Sequence, residues 1–289
     1  MASALNQNLL ASELAPGATL LEKKLVEFFA SHAGFSEGAG GVFTTGGTTA
    51  NLTALLLARD AATLEGSTRG LSGENPLCIL ASEDAHYSLA KSAAVIGLGS
   101  DRVVSVPIAG PERRMDPAAL PERFAQAVEA GMRPIAVVAT AGTTSCGAID
   151  PIAPCADFCE ERGLWLHVDG AFGGPLVLHP VEKSKLDGLH RADSLTLDPH
   201  KWLYAPKSAG ILLVRKAESL LCARYEAPYL DRLEGTRAAL SFSQGRRALD
   251  GSRRFDALKV WMILRHLGLQ GVRELQDDRL ALTRWFHQE

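Results

Sequence analysis

The chain has 289 residues, 46% hydrophobic and 22% charged, enough for one large or two modest domains with a substantial core. Its 30 basic and 33 acidic residues are spread along the chain and leave a formal charge of −3, which disfavours nucleic acid and anionic membranes as partners. No long apolar run and no basic-then-apolar amino terminus occurs, so secretion and membrane insertion lack support, and the odd count of 5 cysteines suits reduced thiols in a cytoplasm.

In chain order, residues 18–32 read as a helix, with Leu20, Leu21, Leu25, Phe28 and Phe29 on its apolar side. Candidate strands follow at 41–45, 77–81, 103–106, 135–140, 164–168, 194–197 and 210–214. Helices are expected between several of them, at 49–62, 87–96, 117–130 and 152–162. This alternation predicts an α/β fold: a mostly parallel seven-stranded sheet with helices on both faces. Such sheets bind ligands beyond the carboxyl ends of their strands. After residue 214 the character turns helical, including 253–267, and the polar, weakly periodic stretch 231–251 reads as a mobile loop.

Five motifs fall at the expected strand ends. The most informative is Asp198-Pro199-His200-Lys201-Trp202, considered with the apolar strand that closes in His167-Val168-Asp169. An acid ending one buried strand and a lysine following another can meet across the mouth of a parallel sheet. That pair is what pyridoxal phosphate chemistry requires, since the amine forms an imine with the cofactor aldehyde and the carboxylate keeps the pyridine nitrogen protonated. Taken alone, Lys201 reads as a solvated surface lysine.

The other four motifs are each ordinary in isolation. Thr44-Thr45-Gly46-Gly47-Thr48-Thr49-Ala50-Asn51 joins a strand to a helix, where glycines and hydroxyls at a helix amino terminus suit an anion or merely a capped turn. No Gly-Lys-Ser/Thr follows at the distance a nucleotide loop needs. His86 follows a strand through Ser82-Glu83-Asp84-Ala85, as a capping residue or as a ring that stacks on a flat ligand. Thr140-Ala141-Gly142-Thr143-Thr144 and Asp169-Gly170-Ala171-Phe172-Gly173-Gly174 offer small residues and hydroxyls, suited to a plain turn or to a ligand pressed against the backbone. Cys155 and Cys159 share a helical face, but no second pair completes a zinc site. A hydrolytic metal site built from His167, Asp169, Asp198 and His200 is a remote rival reading.

Over residues 15–271 the chain resembles the group II pyridoxal-phosphate-dependent amino acid decarboxylases, which include aromatic amino acid, glutamate and diaminobutyrate decarboxylases. The resemblance is carried by Gly46-Gly47-Thr48-Thr49-Ala50-Asn51-Leu52, Ala85-His86-Tyr87-Ser88, Ala141-Gly142-Thr143-Thr144, Leu166-His167-Val168-Asp169-Gly170-Ala171, Asp198-Pro199-His200-Lys201-Trp202 and Arg253-Arg254-Phe255-Asp256-Ala257-Leu258-Lys259. It implies the large domain of a fold-type I enzyme, with Lys201 as the imine-forming amine, Asp169 on the pyridine nitrogen and His86 on the ring face. Gly47, Thr48 and His200 would hold the phosphate with Asp198 nearby, Thr144 and Ala171 would line the ring, and His167 would support the site from behind. The implied reaction converts an L-amino acid to its amine and carbon dioxide in a cytoplasmic homodimer, with no metal.

Two departures from the family shape these expectations. Its members are longer, so the chain is expected to comprise a helical lead-in over 1–35, a cofactor-binding large domain over 36–250 and a helical segment over 251–289, without the small carboxyl-terminal domain. Such truncation would impair activity, and a non-catalytic remnant is the corresponding alternative. Many members also carry a loop tyrosine that protonates the carbanion, whereas residues 231–251 hold only Phe242, with Tyr229 just before. That substitution keeps an aldehyde-forming oxidative decarboxylase as a further alternative, and an aminotransferase on the same Asp and Lys as another.

Overall fold

A computed structural model describes residues 2–63, 66–71, 76–223 and 244–288. Its helices are α1 (Ala2–Leu5), α2 (Pro16–His32), α3 (Gly47–Ala62), α4 (Gly66–Arg69), α5 (Ser88–Val95), α6 (Leu120–Glu129), α7 (Ile152–Arg162) and α8 (Ala257–Gln288). The strands are β1 (Gly40–Thr44), β2 (Leu77–Ser82), β3 (Val103–Val106), β4 (Ile108–Ala109), β5 (Arg114–Met115), β6 (Arg133–Thr140), β7 (Trp165–Gly170), β8 (Ser194–Leu197) and β9 (Gly210–Val214).

Seven strands form one sheet in the order β1-β9-β8-β7-β6-β2-β3. The β8/β7, β7/β6, β6/β2 and β2/β3 pairs are parallel, and β9 runs against both β8 and β1. Six strands therefore end at the same edge, where β9 begins. Sequence and structure agree on this architecture because strands buried on both faces, such as β2, β6 and β9, read as near-continuous apolar runs. Alternate side chains supply opposite layers. Leu80, Val137, Ala139, Leu166 and Val168 pack into the core shared with α2 and α7, whereas Ile79, Ala81, Ala136 and Val138 pack against α3 and α5.

Local signals set the element ends. Pro16 opens α2, where a missing N–H does no harm, and Gly163 closes α7 in the left-handed conformation at φ 65°. The helix expected at 253–267 instead begins at Ala257 and continues to Gln288 across a kink at Gly268. Residues 253–256 stay outside it because Arg253 is tied elsewhere: its guanidinium donates to Phe43 O at 2.6 Å and to Glu22 Oε1 at 2.8 Å. The helix expected over 117–130 starts as a 3-10 turn at Pro117–Ala119, capped by the Asp116 carboxylate, before α6 begins. The β4/β5 hairpin has strands of two residues each, too short for any alternation to register in sequence.

Candidate active site

All nine residues expected to form the site line one cleft of about 310 Å³ at the carboxyl edge of the sheet. Gly47 and Thr48 come from the amino terminus of α3, and His86 from the turn between β2 and α5. Thr144 follows β6, and Asp169 and Ala171 sit at the end of β7. Asp198, His200 and Lys201 follow β8. The strand register sets Asp169 level with Thr140 on one side and Thr196 on the other.

The Asp169 end of the cleft is built from neutral hydrogen bonds. Ala171 N donates to Asp169 Oδ1 at 3.1 Å, and Asn51 Nδ2 donates to Oδ2 at 2.8 Å. One N–H on each oxygen leaves lone pairs facing the cleft, ready to accept from a further N–H. Asn51 also donates to Ser88 Oγ at 3.0 Å, while its Oδ1 lies 3.1 Å from His167 Nε2 and accepts from Thr196 Oγ1 at 2.8 Å. His167 Nδ1 is 2.8 Å from Ser194 Oγ, which Trp165 Nε1 approaches at 2.9 Å. Burial pushes the His167 imidazole down to about 4, against the pull of the Asp169 charge, so it is neutral at physiological pH.

The Lys201 end is built from charge. Lys201 Nζ sits 3.2 Å from Asp198 Oδ2, and His200 Nε2 sits 3.7 Å from the same oxygen. His200 Nδ1 donates to Ala209 O at 2.6 Å, which turns its other nitrogen toward Asp198. Burial pushes the Asp198 carboxyl above the usual range, opposed by Lys201 and His200. Its Oδ1 is buried with no hydrogen-bond partner among the described residues. Beside this cluster the helix start is cut close to its neighbours: a Cβ on Gly47 would lie 2.9 Å from Asp198 Oδ2 and 3.0 Å from Ala171 Cβ.

His86 is held by its neighbours. Its ring centroid lies 4.2 Å from that of Tyr87 with the planes tilted by 41°, and its Nδ1 accepts from Ser88 N at 3.3 Å. Arg113 clamps the same loop through two bonds to Asp84, at 2.9 and 2.8 Å, and this pairing holds the Asp84 carboxyl below its ordinary range.

Several participants carried no role in the sequence reading. Asn51, Ser88, Ser194, Thr196 and Trp165 form the network behind Asp169, and Lys207 and Ser208 also line the cleft. A polar Asn amid the apolar residues of α3 was the available signal, since a buried amide needs partners. The rival metal site fails at His167, whose two nitrogens face Ser194 and Asn51. Among the described residues no group of three His, Cys, Asp or Glu side chains is spaced to hold a metal ion. Tyr229, Phe242 and residues 231–243 of the expected mobile loop lie outside the described residues.

The donor set fits pyridoxal phosphate: an amine, a carboxylate with an open face, a glycine- and threonine-lined helix start, and a flat ring on the wall. Comparison with known proteins decides the family. Residues 1–289 match the family described as "Pyridoxal-dependent decarboxylase conserved domain". The chain belongs to the pyridoxal-dependent decarboxylases. It is 37% identical over 295 residues to the acidic amino acid decarboxylase GADL1 of Bos taurus, covering 100% of this chain and 55% of that protein. It is 34% identical to the L-2,4-diaminobutyrate decarboxylase of Acinetobacter baumannii, covering 98% of this chain and 58% of that one. The crystal structure of mouse CSAD in apo form superposes with a TM-score of 0.92 at 34% identity, over 99% of this chain and 59% of that chain. The chain thus spans somewhat more than half the length of these relatives.

Proposed function

We propose that the protein removes the α-carboxylate of an L-amino acid as carbon dioxide, with pyridoxal 5′-phosphate as cofactor. One observation carries this reading: Lys201, which follows β8, and Asp169, at the end of the neighbouring β7, line the same cleft, with the α3 amino terminus beside the Asp198 and Ala171 side chains. The bound cofactor supplies an electron-accepting ring. Lys201 tethers it through its amine, and the open face of Asp169 accepts from the ring nitrogen. His86 covers the ring, and Thr144 and Ala171 border it. Gly47, Thr48 and His200 hold the phosphate, whose charge suits the helix amino terminus, and Asp198 orients Lys201 and His200. The protein's contribution is positioning and electrostatics.

The same reading includes a homodimer and a cytoplasmic site of action. Cys78, Cys146, Cys155 and Cys159 are all free thiols, as a reducing compartment favours, and no helix among the described residues is long and apolar enough to cross a membrane. The division into residues 1–35, 36–250 and 251–289 is proposed on the same footing.

Borohydride reduction of the purified full-length protein, followed by peptide mapping, tests the site. The adduct is expected on Lys201, and an adduct elsewhere overturns the assignment. A panel of glutamate, aspartate, cysteine sulfinate and 2,4-diaminobutyrate then tests the reaction. Carbon dioxide with the matching amine is expected; a keto acid would indicate aminotransfer, and an aldehyde with ammonia would indicate oxidative decarboxylation.

A further inference from the structure

Donor counting settles the direction of every hydrogen bond behind Asp169, and Asn51 is the hinge of that chain. Trp165 Nε1 can only donate, so Ser194 Oγ accepts from it at 2.9 Å; Asn51 Oδ1 can only accept, so with it on His167 Nε2 the bare Nδ1 of the neutral ring takes the Ser194 proton at 2.8 Å. His167 Nε2 then carries the ring proton and gives it to Asn51 Oδ1 at 3.1 Å, where Thr196 Oγ1 also donates at 2.8 Å. With Oδ1 so engaged, the amide nitrogen faces Asp169 Oδ2 at 2.8 Å and Ser88 Oγ at 3.0 Å. The flipped amide would set its carbonyl against a carboxylate oxygen at that distance, two acceptors facing each other. Only a protonated Asp169 would tolerate that arrangement. Asn51, His167, Ser194 and Thr196 are all at most 1% exposed, so bulk water cannot rescue a mismatched pair.

We propose that Asn51 is the positioning residue for Asp169: its amide, oriented by Thr196 and by the Nε2–H form of His167, holds the carboxylate as an acceptor toward the ring nitrogen of pyridoxal phosphate. The inference rests on the cofactor reading above. It adds that the imidazole of His167, which touches neither cofactor nor substrate, reports the protonation of Asp169 through its tautomer.

Two measurements on the full-length protein test it. Nitrogen NMR of ¹⁵N-histidine-labelled protein is expected to show His167 as the Nε2–H tautomer at neutral pH. The Nδ1–H tautomer overturns the proposal, and this readout needs no variant. Titration with pyridoxal 5′-phosphate gives the second, because a hydrogen bond to a charged group is among the strong ones and its loss weakens the acceptor's own contacts. The dissociation constant is expected to rise roughly tenfold or more in Asn51→Ala and about threefold in Thr196→Val, which keeps the volume but removes the donor. A purely structural role would lower the thermal midpoint while leaving the affinity of the folded protein unmoved, and that result overturns the proposal. Should Asn51→Ala fail to fold, Thr196→Val and the wild-type tautomer still decide. Absence of a Lys201 adduct in the wild-type protein would refute the cofactor reading itself. An adduct there, with unaltered affinity in folded Asn51→Ala, would refute this inference alone.

Discussion

The two ends of the cleft are held by different kinds of force. Around Asp169, neutral donors and acceptors form a directed chain from Trp165 to the carboxylate, and each side chain has one workable orientation. Around Lys201, ionisable groups face one another, the buried Asp198 carboxylate with the part-exposed Lys201 amine and the His200 ring, and elsewhere, at β1, the buried Glu22–Arg253 pair holds both Phe43 N and Phe43 O. Neutral networks fix geometry, whereas charged clusters hold groups that must change protonation or partner. The ring-nitrogen contact should therefore be rigid and the amine adaptable.

Lys201→Ala strikes the charged end hardest. It removes the only amine expected to tether the cofactor, and turnover should fall by about 10³-fold or more. It also takes the nearest cation from Asp198, while the Asp169 network stays intact. Near-wild-type turnover in this variant would show that the charged cluster is structural only.

Glu22→Ala attacks the ion pair that ties residue 253 to β1. It strands the Arg253 guanidinium, whose side chain is 6% exposed beside a Glu22 side chain at 0%, and an uncompensated buried charge costs about 3–5 kcal/mol. Glu22→Met with Arg253→Met should cost much less, because neither charge is then left alone. Urea unfolding distinguishes these, and equal losses in the single and double variants would mean that packing, not charge, binds residues 253–256 to β1.

The neutral end should be the one that senses acid. Burial depresses His167 from 6.5 to about 4, so its contribution to stability is complete above pH 6.5. As pH falls from there through about 4, the unfolded chain takes up a proton that the folded chain refuses. The loss amounts to about 3 kcal/mol across that window. Asp84, Glu27 and Glu160, all lowered by basic partners, add their own acid lability. The comparison is accordingly between wild type and His167→Gln, whose urea midpoint should decline less between pH 7 and pH 4. Parallel declines would place the proton uptake elsewhere.

The contrast between the ends also explains what could be read from sequence. Strands such as Arg133–Thr140 and Gly210–Val214 are legible because burial on both faces leaves a central apolar run with no polar interruption. Asp169 and Lys201 are legible because their chemistry is unusual at strand ends. Asn51 was visible within a motif but carried no role, since its partners Asp169, His167 and Thr196 lie 118, 116 and 145 positions away and meet it only through the sheet register. The early end of α8 was misread for a similar reason: residues 253–256 have helical composition, but Arg253 is claimed by Glu22, 231 positions earlier. Local periodicity cannot anticipate a competing long-range partner.

Gly47→Ala sets the smallest perturbation against the sharpest version of the comparison. The added Cβ would approach Asp198 Oδ2 at 2.9 Å and Ala171 Cβ at 3.0 Å, and Asp198 has little room to yield because Lys201 Nζ holds that oxygen at 3.2 Å. The first turn of α3 must shift outward, an overpacking effect of about 1–3 kcal/mol. Because that turn is the expected phosphate cradle, affinity for pyridoxal 5′-phosphate should fall roughly tenfold, the equivalent of about 1.4 kcal/mol. Asn51 lies a full turn further along α3, so the His167 tautomer should be unchanged. A tautomer change on this substitution would mean that the two ends move as one body, and the division between a rigid neutral end and an adaptable charged end would have to be abandoned.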